Sequence, residues 1–462
     1  PPHYPPPLGG GRGGGVESEK FVFPAQFVTE YIAQTRAWFY VMHVMSLVLF
    51  GKAPFENVVT TGTIVNETGE KLSKSRRNFP DPWAMVEKYG VDSLRFYLMN
   101  SVVMQADNLF FSERDLQTVY RKITLILWNV YNYFVTYANQ AKFKIQNSKF
   151  EIGNLLDEWI LARSQELTNE VTKFLDAYDT VRATRAIENY LDDLSTWYIR
   201  RSRGRGDQSF FATLHNCLLE LSKIVAPFMP YMAELIYRDL VSPFPSPSPQ
   251  GRGNNAGFLP LEGGGKVGVI SVHLSEWPMA KKLTAKQTGL LAEMAEVRKI
   301  VEEAHALRAK AGIKLRQPLA RLILPHNAPF APSYLKRGEG ELLNILKDEV
   351  NVLEIAFGDK LELETKITPE LKIAGLAREL ERQIQQFRKE SGLKIGEIAD
   401  LYYETDSVNM KKALQEIDIK KVYLKQPPLH LPLTKGEKEW GSKEIEVEGE
   451  KVKLVLKIPN YK

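Results

Sequence analysis

Cysteine is almost missing from this sequence, since Cys217 is the only one among 462 residues. A single cysteine excludes an intrachain disulfide framework and a cysteine-rich zinc site. Because nothing here requires an oxidising compartment, we predict a cytoplasmic protein without a zinc site. Long apolar runs are missing too: VMHVMSLVLF at 41–50 is too short for a bilayer, which takes ~20 apolar residues. We therefore expect no membrane partner.

A strong charge of one sign is also missing. The net charge is only +5, from 61 basic and 56 acidic residues, so any basic binding surface has to be local. The content of 44% hydrophobic and 25% charged residues is ordinary for a globular protein, and the length indicates about three domains. Two Pro/Gly-rich segments interrupt the patterned chain, and we expect a disordered leader at 1–19 and a flexible insert at 242–271.

The first patterned region, 20–82, mixes helical and strand signals. Its residues 25–50 have the pattern of one long helix, whereas NVVTTGTIV at 57–65 is β-branched and predicts a strand. From 83 to 241 the periodicity is helical almost throughout. This second region is predicted to be a bundle of long helices, and one helix face would carry Ile187, Tyr190, Leu191, Leu194 and Tyr198.

The last region, 272–462, alternates helical and strand-like segments. Helical patterns at 284–311 and 368–390 are separated by the strand-like ARLILP at 320–325, and the tail at 444–458 is β-rich. This mixture predicts a small α+β domain.

A loop rich in lysine and serine follows the strand and the turn NETGE at 66–70. Lysine is a flexible point charge that suits a phosphate whose position shifts during a reaction, and serine hydroxyls can donate to phosphate oxygens. Such a loop could stabilise the charge on a departing pyrophosphate. On charge content alone, a merely solvated loop remains the simpler interpretation. The residues in question are Lys71, Ser73, Lys74 and Ser75.

The order of motifs around this loop resembles one family. KLSKS at 71–75, followed by NFPDP and YGVDSLRFYL, is similar to the KMSKS segment of class I aminoacyl-tRNA synthetases. EYIAQTRAWF at 30–39 resembles a pocket-lining helix of isoleucyl-tRNA synthetases. VRATRAIENYLDDLSTWYIRRSRGR at 181–205 resembles their anticodon-binding bundle. The resemblance covers roughly 20–240 and 272–400, and the segment DLSTWYIRRSR at 193–203 favours isoleucyl over valyl or leucyl relatives.

This resemblance implies a multidomain fold: the end of a Rossmann-like α/β catalytic domain at 20–82, an all-α anticodon-binding bundle at 83–241, and the α+β domain at 272–462. It implies ATP-dependent activation of isoleucine, with Mg²⁺ accompanying ATP, and transfer to isoleucine tRNA. Lys71 and Lys74 would be catalytic, and Ser73 and Ser75 would join them in binding ATP.

The resemblance also places the aminoacyl-adenylate against Glu30, Gln34 and Trp38. On the predicted helix Glu30 and Gln34 lie four residues apart and share a face. Two positions depart from the family pattern, because Ala33 stands where aspartate is usual and Ala37 where glycine is usual. The first change puts one ligand contact in question, and the added methyl of the second crowds a close backbone approach.

A basic cluster ends the 181–205 segment. Its arginines could position RNA by contacting phosphates, or they could simply suit a helix C-terminus, and both interpretations remain open. Trp128, Trp159 and Trp197 are predicted to be core residues. The cluster consists of Arg200, Arg201, Arg203 and Arg205.

The second motif of class I synthetases, H-I-G-H, matches none of the seven histidines. We therefore expect this chain to be the C-terminal part of an isoleucyl-type enzyme that needs the missing N-terminal half as a partner. Three alternatives remain: a catalytically inactive tRNA-binding fragment, the equivalent part of a valyl- or leucyl-type synthetase, and a degraded gene product without activity.

Overall fold

The computed structural model describes residues 23–70, 72, 81–141, 143, 153–241, 271–326, 340–393, 399–417, 422–425, 439–447 and 449–457. The predicted leader at 1–19 and nearly all of the insert at 242–271 lie outside these residues. The chain divides into two compact units, Pro1–Thr284 and Ala285–Lys462.

The first unit begins with a β–α–β arrangement. Strand β1 (Ala25–Tyr31) leads through a 3₁₀ turn (Ile32–Arg36) into helix α1 (Trp38–Phe50), and strand β2 (Phe55–Thr61) then pairs with β1 in parallel. A parallel pair needs such a crossover, usually a helix. The prediction of one helix over 25–50 is therefore wrong for 25–31, because non-local pairing with β2 outweighs the local helical pattern.

The predicted strand at 57–65 is divided in two. Its first part belongs to β2, and β3 (Ile64–Val65) leaves β2 to pair in parallel with β4 (Leu109–Phe110). The break falls at Gly62, where an added Cβ would lie 1.8 Å from the backbone oxygen of Asp107. Only glycine permits this close backbone approach.

Helices make up most of the remainder of this unit. They are α2 (Pro82–Tyr89), α3 (Val91–Met99), α4 (Glu113–Val119), α5 (Leu125–Gln140), α6 (Leu155–Asp176), α7 (Thr180–Asp192), α8 (Gln208–Val225) and α9 (Pro230–Val241). Two π-helical turns, Tyr120–Thr124 and Asp193–Ile199, follow α4 and α7.

The apolar face predicted for 187–198 is confirmed. Ile187, Tyr190, Leu191, Leu194 and Tyr198 are all completely buried. Of the three tryptophans predicted in the core, Trp159 is buried, whereas the other two, Trp128 and Trp197, are half-buried.

The segment 271–284 packs on these helices. Glu234 accepts hydrogen bonds from the Ser271 hydroxyl and from the backbone N–H of Val272, both at 2.9 Å. The Trp277 indole donates to the Thr172 hydroxyl at 2.8 Å. The second unit therefore begins at Ala285 rather than at the predicted residue 272.

The second unit contains helices and two sheets. Its elements are α10 (Ala285–Lys310), β5 (Leu319–Pro325), α11 (Glu341–Val350), β6 (Val352–Gly358), β7 (Glu362–Leu363), α12 (Pro369–Glu390), β8 (Ala399–Glu404), α13 (Val408–Gln415), β9 (Val422–Lys425), β10 (Glu439–Val447) and β11 (Glu450–Lys457). The strand orders are β6-β5-β7 and β10-β11-β8-β9. Helices α12 and α13 bury leucine, isoleucine and phenylalanine side chains against the four-stranded sheet.

No helix among the described residues combines the length and the apolar character needed to cross a membrane.

Candidate functional site

The lysine-rich loop has well-defined ends. Of the predicted phosphate-binding residues, Lys71, Ser73, Lys74 and Ser75 lie outside the described part of the chain. Before the loop, the Asn66 side chain accepts backbone hydrogen bonds from Thr68 at 3.2 Å and from Glu70 at 2.7 Å.

After the loop, helix α2 begins with a capped turn. Asp81 accepts the N–H of Trp83 at 3.0 Å, and Pro82 occupies the first helical position. Aspartate at the cap followed by proline is a favourable helix start. The predicted phosphate-binding segment is thus joined at one end to a β-strand and turn and at the other to a fixed helix.

The three predicted adenylate-binding residues surround the carboxyl end of β1. Glu30 is exposed near the end of that strand, in register with Thr60 of β2. Trp38 begins α1 and is 44% exposed. Ligands of open parallel sheets bind outside the carboxyl ends of the strands, and contact of these two side chains with a ligand stays a prediction.

The prediction that Glu30 and Gln34 share one face of a helix is wrong, because Glu30 lies in a strand and Gln34 lies in the 3₁₀ turn. The Gln34 side-chain oxygen accepts the backbone N–H of Trp38 at 3.1 Å. Gln34 thereby satisfies one of the N–H groups that helix α1 leaves unpaired at its start. A hydrogen bond of 3.2 Å from the Thr63 hydroxyl to the Tyr31 hydroxyl joins the end of β1 to the segment that follows β2.

The motif residues downstream of the loop hold the helices together. Asp92 is buried and accepts the backbone N–H groups of Met232 at 2.7 Å and of Tyr231 at 3.4 Å. Burial raises the pKa of Asp92, although these hydrogen bonds oppose that rise. The Arg95 guanidinium donates to the Pro227 carbonyl at 3.0 Å. These two side chains attach α3 to the start of α9.

The predicted arginine cluster does not act as one surface. Arg205 forms a bidentate ion pair with the fully buried Asp157, at 2.7 and 2.8 Å, and a second pair with Asp207 at 2.9 Å. Burial lowers the pKa of Arg205, but the two carboxylates outweigh this and raise it overall. Arg205 therefore has a structural role in joining α6 to the start of α8, and its contact with RNA stays a prediction. The sequence gives no sign of this pair, because Asp157 is far away along the chain.

The other three arginines differ in exposure. Arg200 and Arg203 are exposed, and Arg201 is half-buried. The Arg200 guanidinium donates to the Thr196 carbonyl at 2.6 Å, one helical turn earlier. Arg203 makes no ion pair with a carboxylate among the described residues. Within this cluster Arg203 is the side chain whose charge is best placed for an external phosphate.

No group of three or more histidine, cysteine, aspartate or glutamate side chains among the described residues is arranged to hold a metal ion. Cys217 is buried, and burial is the main reason that its pKa rises to about 12. A thiol with this pKa is neutral at physiological pH and is a poor nucleophile or metal ligand.

Comparison with known families gives two matches. A family described as "tRNA synthetases class I (I, L, M and V)" matches residues 14–110, and one described as "Anticodon-binding domain of tRNA ligase" matches residues 157–324. The first match contains the lysine-rich loop and β1–β4, and the second contains α7–α9 and the arginine cluster.

Similar curated proteins are isoleucine–tRNA ligases. That of Thermus thermophilus is 36% identical over 76% of this chain and 32% of its own length. Those of two Dehalococcoides mccartyi strains are 34% identical over 83% of this chain and 38% of the relative, and 32% identical over 94% and 42%. The chain thus spans about a third to two fifths of the length of these relatives.

Among solved structures, a LeuRS–tRNA–LeuAMS complex of Agrobacterium radiobacter aligns over 48% of this chain and 28% of that chain, with 18% identity and a TM-score of 0.39. A Mycobacterium tuberculosis methionyl-tRNA synthetase with methionyl-adenylate aligns over 46% and 43%, with 22% identity and a TM-score of 0.39.

The two family matches occur in the same order as the sequence motifs, and they give this chain a class I tRNA synthetase segment followed by an anticodon-binding domain of a tRNA ligase. Within that class, the similar curated proteins described above are all isoleucine–tRNA ligases.

Proposed function

We propose that this chain provides the lysine loop and the tRNA-binding helices of an isoleucine–tRNA ligase that acts in the cytoplasm. The observation that carries the proposal is the similarity to isoleucine–tRNA ligases over 76–94% of the chain. The match to an anticodon-binding family over 157–324 supports a tRNA partner.

The proposed reaction has two steps. The isoleucine carboxylate attacks the α-phosphate of ATP, forming isoleucyl-adenylate and releasing pyrophosphate. A ribose hydroxyl of the terminal adenosine of the tRNA then attacks the acyl carbonyl, and AMP leaves. Because the carboxylate is already a nucleophile, the protein contributes mainly by positioning the reactants and by stabilising charge.

The loop residues Lys71 and Lys74 would bind the triphosphate, with Mg²⁺, as pyrophosphate departs, and Ser73 and Ser75 would donate to its oxygens. The described ends of the loop support this role. A hydrogen-bonded turn precedes the loop and a capped helix follows it.

Glu30 and Trp38 remain the proposed contacts for the adenylate, since both lie around the carboxyl end of β1. Gln34 would act more indirectly, by holding the first turn of α1 in place. Ala33, where the family pattern has aspartate, would leave the adenylate with one polar contact fewer, and the methyl of Ala37, where the pattern has glycine, would crowd a close backbone approach.

A large apolar surface on α1 supports the proposed partner. Only Phe39 and Ser46 are buried in this helix. Parallel sheets are normally covered on both faces, and β1–β2 is a sheet of only two strands among the described residues. The part of a class I catalytic domain that carries the H-I-G-H motif would cover this surface. The exposed side chains include Tyr40, Val41, Met45, Leu47, Val48, Leu49 and Phe50.

A tRNA-binding chain without catalysis is the second candidate. The same exposed surface favours it, because a βαβ unit with an uncovered helix offers only part of an ATP site. A valyl- or leucyl-type ligase is the remaining alternative, and the identity of the tRNA that binds distinguishes it from the isoleucine enzyme.

ATP–pyrophosphate exchange tests the catalytic part of the proposal. The full chain is mixed with a polypeptide that contains the H-I-G-H half of the Thermus thermophilus relative, and isoleucine-dependent exchange is measured. We expect exchange only in the mixture. Lys74→Ala should lower its rate by about 10²–10³, as for the loss of one charge-stabilising group, whereas Lys366→Ala on the exposed surface of the second unit should not. An unchanged rate in Lys74→Ala would exclude the role of the loop.

A further inference from the structure

A cavity of about 500 Å³ lies in the second unit. Its walls come from the turn at 312–317 after α10, from residues between 367 and 373 around the start of α12, and from Asn409 on α13. The volume lies within the range of small-molecule sites. None of the residues proposed to contact ATP, the adenylate or RNA is among the described residues that line it. The cavity is therefore a separate candidate for ligand binding.

The Gln317 side chain lines the cavity and is only 9% exposed. Its amide nitrogen donates to two carbonyls, that of Leu371 at 2.6 Å and that of Pro318 at 3.0 Å. Both amide hydrogens are thereby used, which identifies the other amide atom as the oxygen. No described residue donates a hydrogen bond to this oxygen, and it remains accessible to solvent. Gln317 thus offers one fixed acceptor to an O–H or N–H group of a ligand.

A buried cation without a carboxylate partner holds the same wall in place. Arg308 is completely buried, and its guanidinium donates to the backbone carbonyls of Gln317 at 2.9 Å and of Lys314 at 3.2 Å, and to two further carbonyls at the end of α11. No carboxylate forms an ion pair with Arg308 among the described residues. Burial lowers the pKa of Arg308 to about 10, which leaves it charged at neutral pH. The wall is therefore rigid and has a positive charge behind it.

Two lysines add positive charge at the cavity itself. Lys314 and Lys372 are exposed lining residues, and neither forms an ion pair with a carboxylate among the described residues. The neighbouring acids have other partners. Glu450 accepts the Asn409 amide at 2.9 Å, and Glu370 is hydrogen-bonded to its own backbone N–H at the start of α12. Because both lysines line the cavity and these two acids do not, it favours an anionic group.

Aliphatic side chains form another part of the surface. Ile313 and Ile373 are half-buried, and Ile367 is 42% exposed. No aromatic ring is among the described lining residues, so these walls offer nothing on which a nucleobase could stack. The isoleucines instead favour a ligand with an aliphatic body, whose apolar surface would leave water on binding.

We propose that this cavity binds a small aliphatic 2-hydroxy acid. Its carboxylate pairs with Lys314 and Lys372, its hydroxyl donates to the Gln317 oxygen, and its carbon chain contacts the isoleucines. An amino acid would bring an ammonium group close to two lysines and to the wall that Arg308 supports, and this repulsion favours an uncharged hydroxyl. A phosphate of RNA would leave the isoleucines uncovered. The inference goes beyond the proposed function and does not depend on it.

Saturation-transfer NMR measures this binding on the full chain. The probe is 2-hydroxyisovalerate, and its matched comparisons are isovalerate, which lacks the hydroxyl, and valine, which has an ammonium group in its place. We expect isovalerate to bind about 2- to 12-fold more weakly than the probe, for the loss of one hydrogen bond, and valine more weakly still. Equal or tighter binding of either comparison would overturn the proposal, and so would displacement of the probe by an equal concentration of inorganic phosphate.

Variants of the lining residues locate the probe. Combining Lys314→Ala with Lys372→Ala should weaken binding about 2- to 30-fold, as two exposed charge contacts are lost. Combining Lys299→Ala with Lys366→Ala, two exposed lysines that do not line the cavity, should have no effect.

The apolar contact has its own matched pair. Ile367→Ser should weaken binding, whereas Val408→Ser, at a side chain that is 65% exposed outside the cavity, should not. Full affinity in the lysine double variant or in Ile367→Ser would overturn the proposal.

These measurements contain neither ATP nor tRNA, so they separate the cavity from the proposed function. Binding of the probe by a chain that binds no tRNA would uphold the cavity and contradict the function. Selective binding of isoleucine tRNA by a chain that does not bind the probe would uphold the function and overturn the cavity. Displacement of the probe by isoleucine would place it at the proposed amino-acid site and would also overturn the inference.

Discussion

Removal of the Asp157 carboxylate is the most informative perturbation of the helical region. The side chain of Asp157 is completely buried, whereas that of Arg205 is 20% exposed. Besides both guanidinium nitrogens, the carboxylate accepts the Tyr198 hydroxyl and the Ser209 hydroxyl, the latter at 3.1 Å. Asp157→Ala therefore leaves a partly buried cation and two hydroxyl groups without their common acceptor.

The expected cost follows from that geometry. Removing one member of a buried ion pair costs about 3–5 kcal/mol when the remaining charge stays buried without a partner. Because Arg205 keeps its ion pair with Asp207 and is 20% exposed, we expect the lower end of this range, about 3 kcal/mol. In a unit of this size each kcal/mol lowers Tm by roughly 2–4 °C, so the transition should fall by about 6–12 °C. Lys122→Ala is the matched control. The ion pair between Lys122 and Glu188 is 3.9 Å long, and the lysine side chain is 63% exposed. Such exposed pairs contribute about 0–1 kcal/mol to the free energy of unfolding.

Thermal unfolding followed by tryptophan fluorescence measures both variants. Six of the seven tryptophans precede residue 285, so the signal reports mainly on the first unit. If Asp157→Ala lowered Tm no more than Lys122→Ala does, the reasoning would be refuted, because the buried carboxylate would then not hold the network together.

Three further perturbations test other parts of the fold. Asp92→Ala removes the acceptor for the first N–H groups of α9 and should lower the free energy of unfolding by about 0.5–2 kcal/mol in urea titrations. Gly62→Ala places a Cβ 1.8 Å from a backbone oxygen and should cost about 1–3 kcal/mol, while Gly153→Ala, with free space around it, should be close to neutral. Burial lowers the pKa of His215 below its ordinary 6.5, so the unfolded chain binds its proton more readily and stability should fall as pH drops through 6.5. His215→Gln should flatten that part of a plot of Tm against pH, and an unchanged slope would contradict the assignment.

The helical region is the part of the fold that the sequence predicts well. Residues such as Tyr190 and Leu194 recur at helical spacing, and a spacing that repeats over many turns is a local property that needs no knowledge of the rest of the chain. The helices at 285–310 and 369–390 follow the predicted 284–311 and 368–390 closely for the same reason.

Features that depend on distant residues are not predictable in this way. Residues 25–31 form a strand because residues 55–61 lie beside them in parallel, and a local pattern cannot show that partner. Segment 271–284 has no clear periodicity, and hydrogen bonds to α6 and α9 determine its position.

The candidate site likewise combines features that local sequence predicts with features that depend on distant residues. The sequence motifs identify the lysine loop and the residues around the end of β1, because the order of residue types is itself the signal. The sequence also suggests four equivalent arginines, but the structure distinguishes them: Arg205 is paired with Asp157 and Asp207, whereas Arg203 makes no ion pair with a carboxylate among the described residues. That difference arises from tertiary contacts, so it could not be read from charge content.

The most direct test of the central proposal is a titration of the full chain with isoleucine tRNA and with valine tRNA at two salt concentrations, followed by fluorescence anisotropy. We expect tighter binding of isoleucine tRNA than of valine tRNA. Binding should weaken at the higher salt concentration, because the release of counterions from the RNA then contributes less to the affinity. Equal binding of the two tRNAs, or no binding by a folded chain, would contradict the proposal that this chain carries the tRNA-binding part of an isoleucine–tRNA ligase.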